Sequence, residues 1–142
     1  FQGLPHRMER VAVVNGVSYF NDSKGTNVEA TIMTLRGLDR PAVLIAGGHD
    51  KGGDFTKLAA VLGRVKAVIT IGEAAPLIEE ALSSVVPVAR AQTMKDAVET
   101  ASRAAQEGDL VILSPACASF DMFRNFEHRG EVFRECVREL QR

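Results

Sequence analysis

Three short polar stretches hold most of the side chains that can do chemistry in this chain. In Gly47-Gly48-His49-Asp50-Lys51-Gly52-Gly53-Asp54 one ammonium, Lys51, stands among glycines whose N–H groups can stay open, a combination suited to a carboxylate or a phosphate. In Asn21-Asp22-Ser23-Lys24-Gly25-Thr26-Asn27, Lys24 brings a second cation and Ser23, Thr26 and Asn27 bring neutral donors. Asp22 can accept from a sugar hydroxyl or face another cation. The third stretch, Ser114-Pro115-Ala116-Cys117-Ala118-Ser119, offers hydroxyls and a thiol.

Each stretch also has a plain structural reading. The glycines can serve a strand-to-helix turn, Thr26 or Asn27 can cap a helix, and Cys117 between alanines suits packing better than reactivity. Complete motifs are missing. Lys51 is followed by Gly52, so there is no GxxxxGK[ST], and neither GxGxxG nor GxSxG occurs. His6, His49 and His128 have no readable relation to Ser114 or Ser119, which disfavours a nucleophilic serine. Isolated histidines and cysteines, without HxxxH or CxxC spacing, predict no metal held by protein ligands, so any magnesium would arrive with a nucleotide.

These stretches need elements to position them. VAVVNGVSYFNDS contains two β-rich runs around Asn15-Gly16, a type I′ hairpin signal. VEATIMTLRGL places Val28, Ile32 and Leu35 on one helical stripe ending at Gly37. Ala42–Ala46 reads as a buried parallel strand, and FTKLAAVLGRV as a helix capped by Asp54. Two more strand and helix units follow: Ala67–Gly72 with APLIEEALS, and Val86–Ala89 with TMKDAVETASRAAQ, ended by Gly108. Asp109–Leu113 is a further buried strand, emptying through the third stretch into helix. Phe126, Phe133, Val137 and Leu140 form the last apolar stripe, and the Glu and Arg residues between them a solvated face. The expected fold is therefore α/β: a Rossmann-like, mainly parallel sheet with helices on both faces and an N-terminal β-hairpin. Such sheets bind ligands beyond the carboxyl ends of their strands, where all three polar stretches fall.

The 142 residues, 46% hydrophobic and 25% charged, suit one domain with one core. A net charge of -1 disfavours nucleic acid as a partner, and no apolar run is long enough for a membrane span. Two distant cysteines fit reduced thiols, and with no signal-type segment the expected location is cytoplasmic. Phe1 in place of methionine, within the linker-like FQGLP, suggests a piece excised from a longer protein.

LPHRME, NDSKGTN, GGHDKGGDF and LSPACASFDMFRNFEHRG, in this order and on these loops, closely resemble the C-terminal domain of the bacterial Mur ligases, in their D-glutamate-adding branch. The resemblance covers nearly the whole chain and departs at Gly25, where the family commonly has alanine. It implies an ATP-dependent amide-forming reaction. ATP phosphorylates the carboxylate of UDP-N-acetylmuramoyl-L-alanine, and D-glutamate attacks the acyl phosphate. By the same resemblance, residues 1–142 are a single third domain, inactive alone, with the UDP-binding and central ATPase domains outside it. The P-loop and most of the Mg2+ site would belong to the central domain. Lys51, Thr26, Ser119 and the backbone around Phe126 would bind D-glutamate, with Lys24 adding charge near the acyl phosphate. Asp22, Arg7 and the adjacent His6 would contact ATP. The competing expectations are a non-catalytic α/β binding module, in which Lys51, Thr26 and Ser119 would not share a site, and the third domain of a related ligase such as a folylpolyglutamate synthase.

Overall fold

The computed structural model describes residues 5–141, so most of the linker-like FQGLP lies outside the described residues. The chain forms β1 (Glu9–Val14), β2 (Val17–Asn21), α1 (Val28–Arg36), β3 (Ala42–Gly47), a 3₁₀ helix (Phe55–Val61), β4 (Val65–Ile71), α2 (Ala75–Leu82), β5 (Val88–Arg90), α3 (Met94–Ala104), β6 (Leu110–Leu113) and α4 (Phe126–Leu140). One six-stranded sheet results, ordered β1-β2-β6-β3-β4-β5. Only the β1–β2 pair is antiparallel. Its turn uses φ 52° at Asn15 and 77° at Gly16, both in the left-handed region that a type I′ turn requires.

The α/β expectation is met, with helices on both faces. Period-two alternation along β3 explains why its run looked uniformly apolar. Leu44 and Ala46 pack with Val28, Leu35, Leu58, Ile78 and Leu82 on one face. Val43 and Ile45 pack with Met94, Val98, Phe133 and Val137 on the other. Both faces are dry, so no polar residue marks the pleat.

Two elements differ from the sequence reading. The stretch after Asp54 is a 3₁₀ turn and not an α-helix. Its buried residues, Phe55 and Leu58, are three apart, a spacing that three residues per turn puts on one face. Asp54 caps it as expected, accepting from the Thr56 N–H at 3.1 Å. The segment after β6 does not enter a helix directly: turns and bends carry it to Asn125, which caps α4 by accepting from the His128 N–H at 2.7 Å. Ala116 within it has φ 61°.

The sheet order sets up the site. β2, β6 and β3 are adjacent and parallel, and Leu113 is in register with both Asn21 and Ile45. The loops that leave these strands therefore begin side by side at one rim.

Candidate functional site

Lys51 and Thr26 face the same cavity. It has a volume of about 360 Å³ and is also lined by Asp54, Lys57, Ala116 and Cys117. Its carboxylates are already engaged. Asp50 accepts from the N–H groups of Gly52 (2.8 Å) and Gly53 (3.2 Å), Asp54 holds the 3₁₀ turn, and Glu29 lies 3.7 Å from Lys57. Among the described residues Lys51 has no carboxylate within ion-pair distance, and it is exposed. The cavity thus presents an uncommitted ammonium opposite a hydroxyl.

Ser119 belongs to the same rim but does not line that cavity. The His49 N–H donates to Ala118 O at 2.8 Å and the Ala118 N–H returns to His49 O at 3.2 Å, stitching the Lys51 loop to the Ser119 loop. Ser119 itself is buried, and its carbonyl accepts from the Phe123 N–H at 2.9 Å.

The loop after β2 also lines a second cavity of about 290 Å³, with Arg7, Asp22, Lys24, Met33 and Thr34 in its wall. Lys24 thus faces Arg7 and Asp22, and not Lys51. Asp22 is buried and accepts three hydrogen bonds, from Met8 N–H (3.1 Å), Thr34 Oγ1 (2.6 Å) and Ser114 Oγ (2.8 Å). Burial pushes its carboxyl above the usual range, and those donors only partly offset this. Arg7 and Lys24 are exposed, so the cavity pairs one desolvated carboxylate with two cations at its mouth.

His6 and Phe126 pack against each other. His6 is buried with φ 62°; its Nδ1 accepts from Asn21 Nδ2 at 3.0 Å and its ring meets Phe126 edge-on at 6.0 Å. Burial, with Arg134 nearby, lowers its pKa below the ordinary value. It lines neither cavity. The Phe126 carbonyl accepts from Ser23 Oγ at 2.6 Å. Ser114 spends its hydroxyl on Asp22, and burial pushes the Cys117 thiol up to about 12, so neither is set up as a nucleophile.

Sequence reasoning overlooked Arg129. It is fully buried in α4 and donates to Ser23 and Cys117. The available signal was its position: three residues after Phe126 and four before Phe133, it lies on the apolar stripe where an arginine is out of place. Also missed was Glu9, whose carboxylate takes a two-pronged hydrogen bond from Arg134 (2.8 Å to each oxygen) and ties β1 to α4.

Comparison with known proteins places this site in context. The Mur ligase, glutamate ligase domain, matches residues 6–117. The UDP-N-acetylmuramoylalanine–D-glutamate ligase of Salinibacter ruber is 52% identical over 99% of this chain, which spans 31% of that protein. The protein of the same name from Burkholderia mallei is 54% identical over 99% of the chain, 28% of its own length. The chain thus spans about a third of the curated relatives it matches. Among solved structures, a murein peptide ligase from Psychrobacter arcticus superposes with TM-score 0.67 at 18% identity, over 99% of this chain and 30% of that one. A bifunctional folylpolyglutamate synthase/dihydrofolate synthase from Yersinia pestis, complexed with AMPPNP and Mn ion, gives 0.66 at 21%, over 95% of this chain and 32% of that one. At these identities the likeness is one of fold. Among the described residues no helix is long and apolar enough to cross a membrane, and no group of three His, Cys, Asp or Glu is placed to hold a metal ion.

Proposed function

Because this chain belongs to the Mur ligase family through its glutamate ligase domain, we propose that it is the amino-acid-binding, nucleotide-contacting third domain of a ligase that joins D-glutamate to UDP-N-acetylmuramoyl-L-alanine in peptidoglycan precursor synthesis. The UDP-binding and ATPase domains then lie outside these residues, and this domain is inactive without them. Relatives bearing that ligase name match across nearly all of the chain. The reaction belongs in the cytoplasm, where the nucleotide-linked precursor and ATP are found.

The observation that carries the reading is the division of one loop between two cavities. Thr26 faces Lys51, while Asp22 and Lys24 face Arg7. D-Glutamate is a dianion when its amine is free to attack. Lys51 supplies a charge-assisted bond to one carboxylate and Thr26 a hydroxyl donor, while Ser119, outside the cavity lining, acts through the loop it shares with Ala116 and Cys117, which do line it.

The second cavity suits a nucleotide by its donor set. Arg7 and Lys24 match phosphate oxygens, and Asp22 keeps acceptor capacity on Oδ1, which receives only the Met8 N–H, for a ribose hydroxyl. Bound ATP supplies the phosphoryl group that activates the substrate carboxylate. The magnesium ion is assigned to the central domain. His6 holds the entry segment in place: its carbonyl accepts from the Lys24 N–H at 2.8 Å. What this domain contributes is orientation and charge, since the chemistry needs an aligned amine and a neutralised phosphate more than covalent help.

The test is amino-acid-dependent phosphate release by the intact protein supplied with ATP, Mg2+ and UDP-N-acetylmuramoyl-L-alanine. D-Glutamate should stimulate release and L-alanine, L-lysine and meso-diaminopimelate should not. Release that instead follows L-glutamate with a folate acceptor would replace this reading by the polyglutamating one, which the shared fold also accommodates.

A further inference from the structure

Arg129 is fully buried, yet among the described residues no carboxylate lies within ion-pair distance of its guanidinium. Its partners are neutral. Nε donates to Ser23 Oγ at 2.9 Å, Nη2 to Ser23 O at 2.7 Å and Nη1 to Cys117 O at 2.9 Å. A side chain added at Gly48 would bring its Cβ within 3.4 Å of Nη1, so the Lys51 loop also rests against it. One α4 side chain therefore bonds to the backbone of two rim loops and fills the space beside Gly48 of the third. Ser23 closes the circuit, because its hydroxyl passes its own hydrogen to Phe126 O, back in α4.

A buried cation without a counter-ion is costly, and an apolar chain of similar volume would pack there with less desolvation. Burial lowers the Arg129 pKa to about 10, which leaves it charged at neutral pH. Three donors fixed in a planar fork reach three acceptors on two loops at once. A lysine, with one nitrogen, cannot. This geometry makes sense if loop spacing matters more than stability.

We propose that Arg129 is the positioning residue of the amino-acid site: it sets the distance between the Ser23–Asn27, Gly47–Lys51 and Cys117–Ser119 loops, and so the fit of Thr26 and Lys51 around an acidic amino acid. The ligand named here rests on the function proposed above; the loop-spacing role does not.

Two measurements on the intact protein separate these. In Arg129→Lys, amide hydrogen exchange at Ser23–Asn27 and Cys117–Ser119 should accelerate by about tenfold, the loss of one charge-assisted hydrogen bond, while β3 and β4 stay protected. In steady-state kinetics the same variant should raise the KM for D-glutamate by about tenfold or more and change kcat much less. Should Arg129→Lys fail to fold, Ser23→Ala, which removes the hydroxyl between Nε and Phe126 O, should produce the same two effects more weakly. Unchanged loop exchange overturns the proposal whichever amino acid is used. Accelerated exchange with an unchanged D-glutamate KM overturns it as a determinant of that site. A wild-type protein that ignores D-glutamate overturns the functional reading, and loop exchange then decides the positioning role alone.

Discussion

Ser114 Oγ lies 2.8 Å from Oδ2 of Asp22, joining the first residue after β6 to the first residue after β2, the strand it pairs with. The bond ties the loop after β6, which lines the Lys51 cavity, to a carboxylate in the wall of the Arg7 cavity, and it gives Ser114 a role other than nucleophile. Ser114→Ala leaves Thr34 and Met8 as donors to Asp22 but removes one of the two hydroxyls on Oδ2. The expected cost is about 1–2 kcal/mol of stability, the scale of one buried hydrogen bond to a charged group. The KM for ATP should rise while kcat stays within about tenfold of wild type, because a merely positioning hydroxyl is not part of the bond-making chemistry. A loss of activity by several orders of magnitude, with binding intact, would return Ser114 to the list of reacting groups. Urea melts and steady-state kinetics of the intact protein decide it.

Asp22 itself should show a conflict between stability and function. Burial holds its folded pKa above the unfolded value, despite donors from Thr34, Ser114 and Met8. Ionisation therefore penalises the folded state. The penalty is absent below the unfolded value of about 4, grows as pH rises through the raised folded value, and is constant beyond it. In Asp22→Asn the Thr34 and Ser114 hydroxyls can turn to accept from the amide, so the variant should melt at or above wild type near neutral pH. That advantage should vanish at about pH 3.5, while the ATP requirement rises. Melting temperatures across this range provide the check. A variant less stable at neutral pH than in acid, relative to wild type, would contradict the assignment.

Lys51 is exposed and makes no side-chain bond that the fold depends on. Lys51→Ala should therefore change stability by less than about 0.5 kcal/mol. The D-glutamate KM should climb by about tenfold or more, one charge-assisted contact, with the ATP KM almost unmoved. Lys24→Ala should do the reverse, because Lys24 faces the Arg7 cavity. Equal effects of the two variants on both substrates would mean that the cavities do not divide the ligands in this way.

Much of this architecture is readable from spacing, and what is not has a physical reason. Asn15-Gly16 announces the hairpin because few other dipeptides accept two positive φ angles, and the apolar β3 run announces a strand covered on both sides. The rim follows from the rule that α/β sheets bind beyond their strand ends. How six strands are ordered does not follow from local pattern, so the adjacency of β2, β6 and β3 had to be seen. The same applies to the separation of Lys24 from Lys51, since which way a loop side chain turns depends on contacts distant in sequence. Arg129 was hidden by composition: among the many Glu and Arg residues of α4 it looks like another solvated charge, and only its place on the apolar stripe sets it apart. Likewise Phe55 and Leu58 are as compatible with an α-helix as with the 3₁₀ turn they form.

The entry segment should be acid-labile. Glu9 is pushed up by burial, but hydrogen bonds from Arg134 and Asn21 outweigh this and leave its pKa lowered. It thus contributes stability above its unfolded value that is lost as pH falls through the folded one. His6, lowered chiefly by burial, acts in the same sense just below its ordinary value, because the unfolded chain takes up the proton first. Arg134→Met removes the Glu9 partner. Its stability deficit should be about 1 kcal/mol at neutral pH and shrink below about pH 4, where wild type has lost the same interaction. Chemical denaturation at several pH values reads this directly. A deficit that stayed constant into acid would assign Arg134 a packing role instead.

The sharpest test of the rim geometry is Gly47→Ala. Gly47 ends β3 with φ 131°, its N–H donates to Pro115 O at 2.9 Å, and a Cβ there would collide with the carbonyl of Ile71 on β4. The obstacle is strand backbone, which cannot step aside as a flexible side chain would, and the φ value is strained for any L residue. Strain and overpacking together should cost roughly 3 kcal/mol or more. The contrast is Gly52→Ala in the same loop. Gly52 also has a positive φ, 85°, but its Cβ would meet nothing within 4 Å, so only the backbone term of about 1 kcal/mol applies. Gly47→Ala should therefore lose β3–β4 amide protection and amino-acid-dependent activity together, while Gly52→Ala keeps the protection. If instead both variants were equally mild, the close approach of β3 to β4 at the mouth of the site would be wrong, and with it the position of the Lys51 loop.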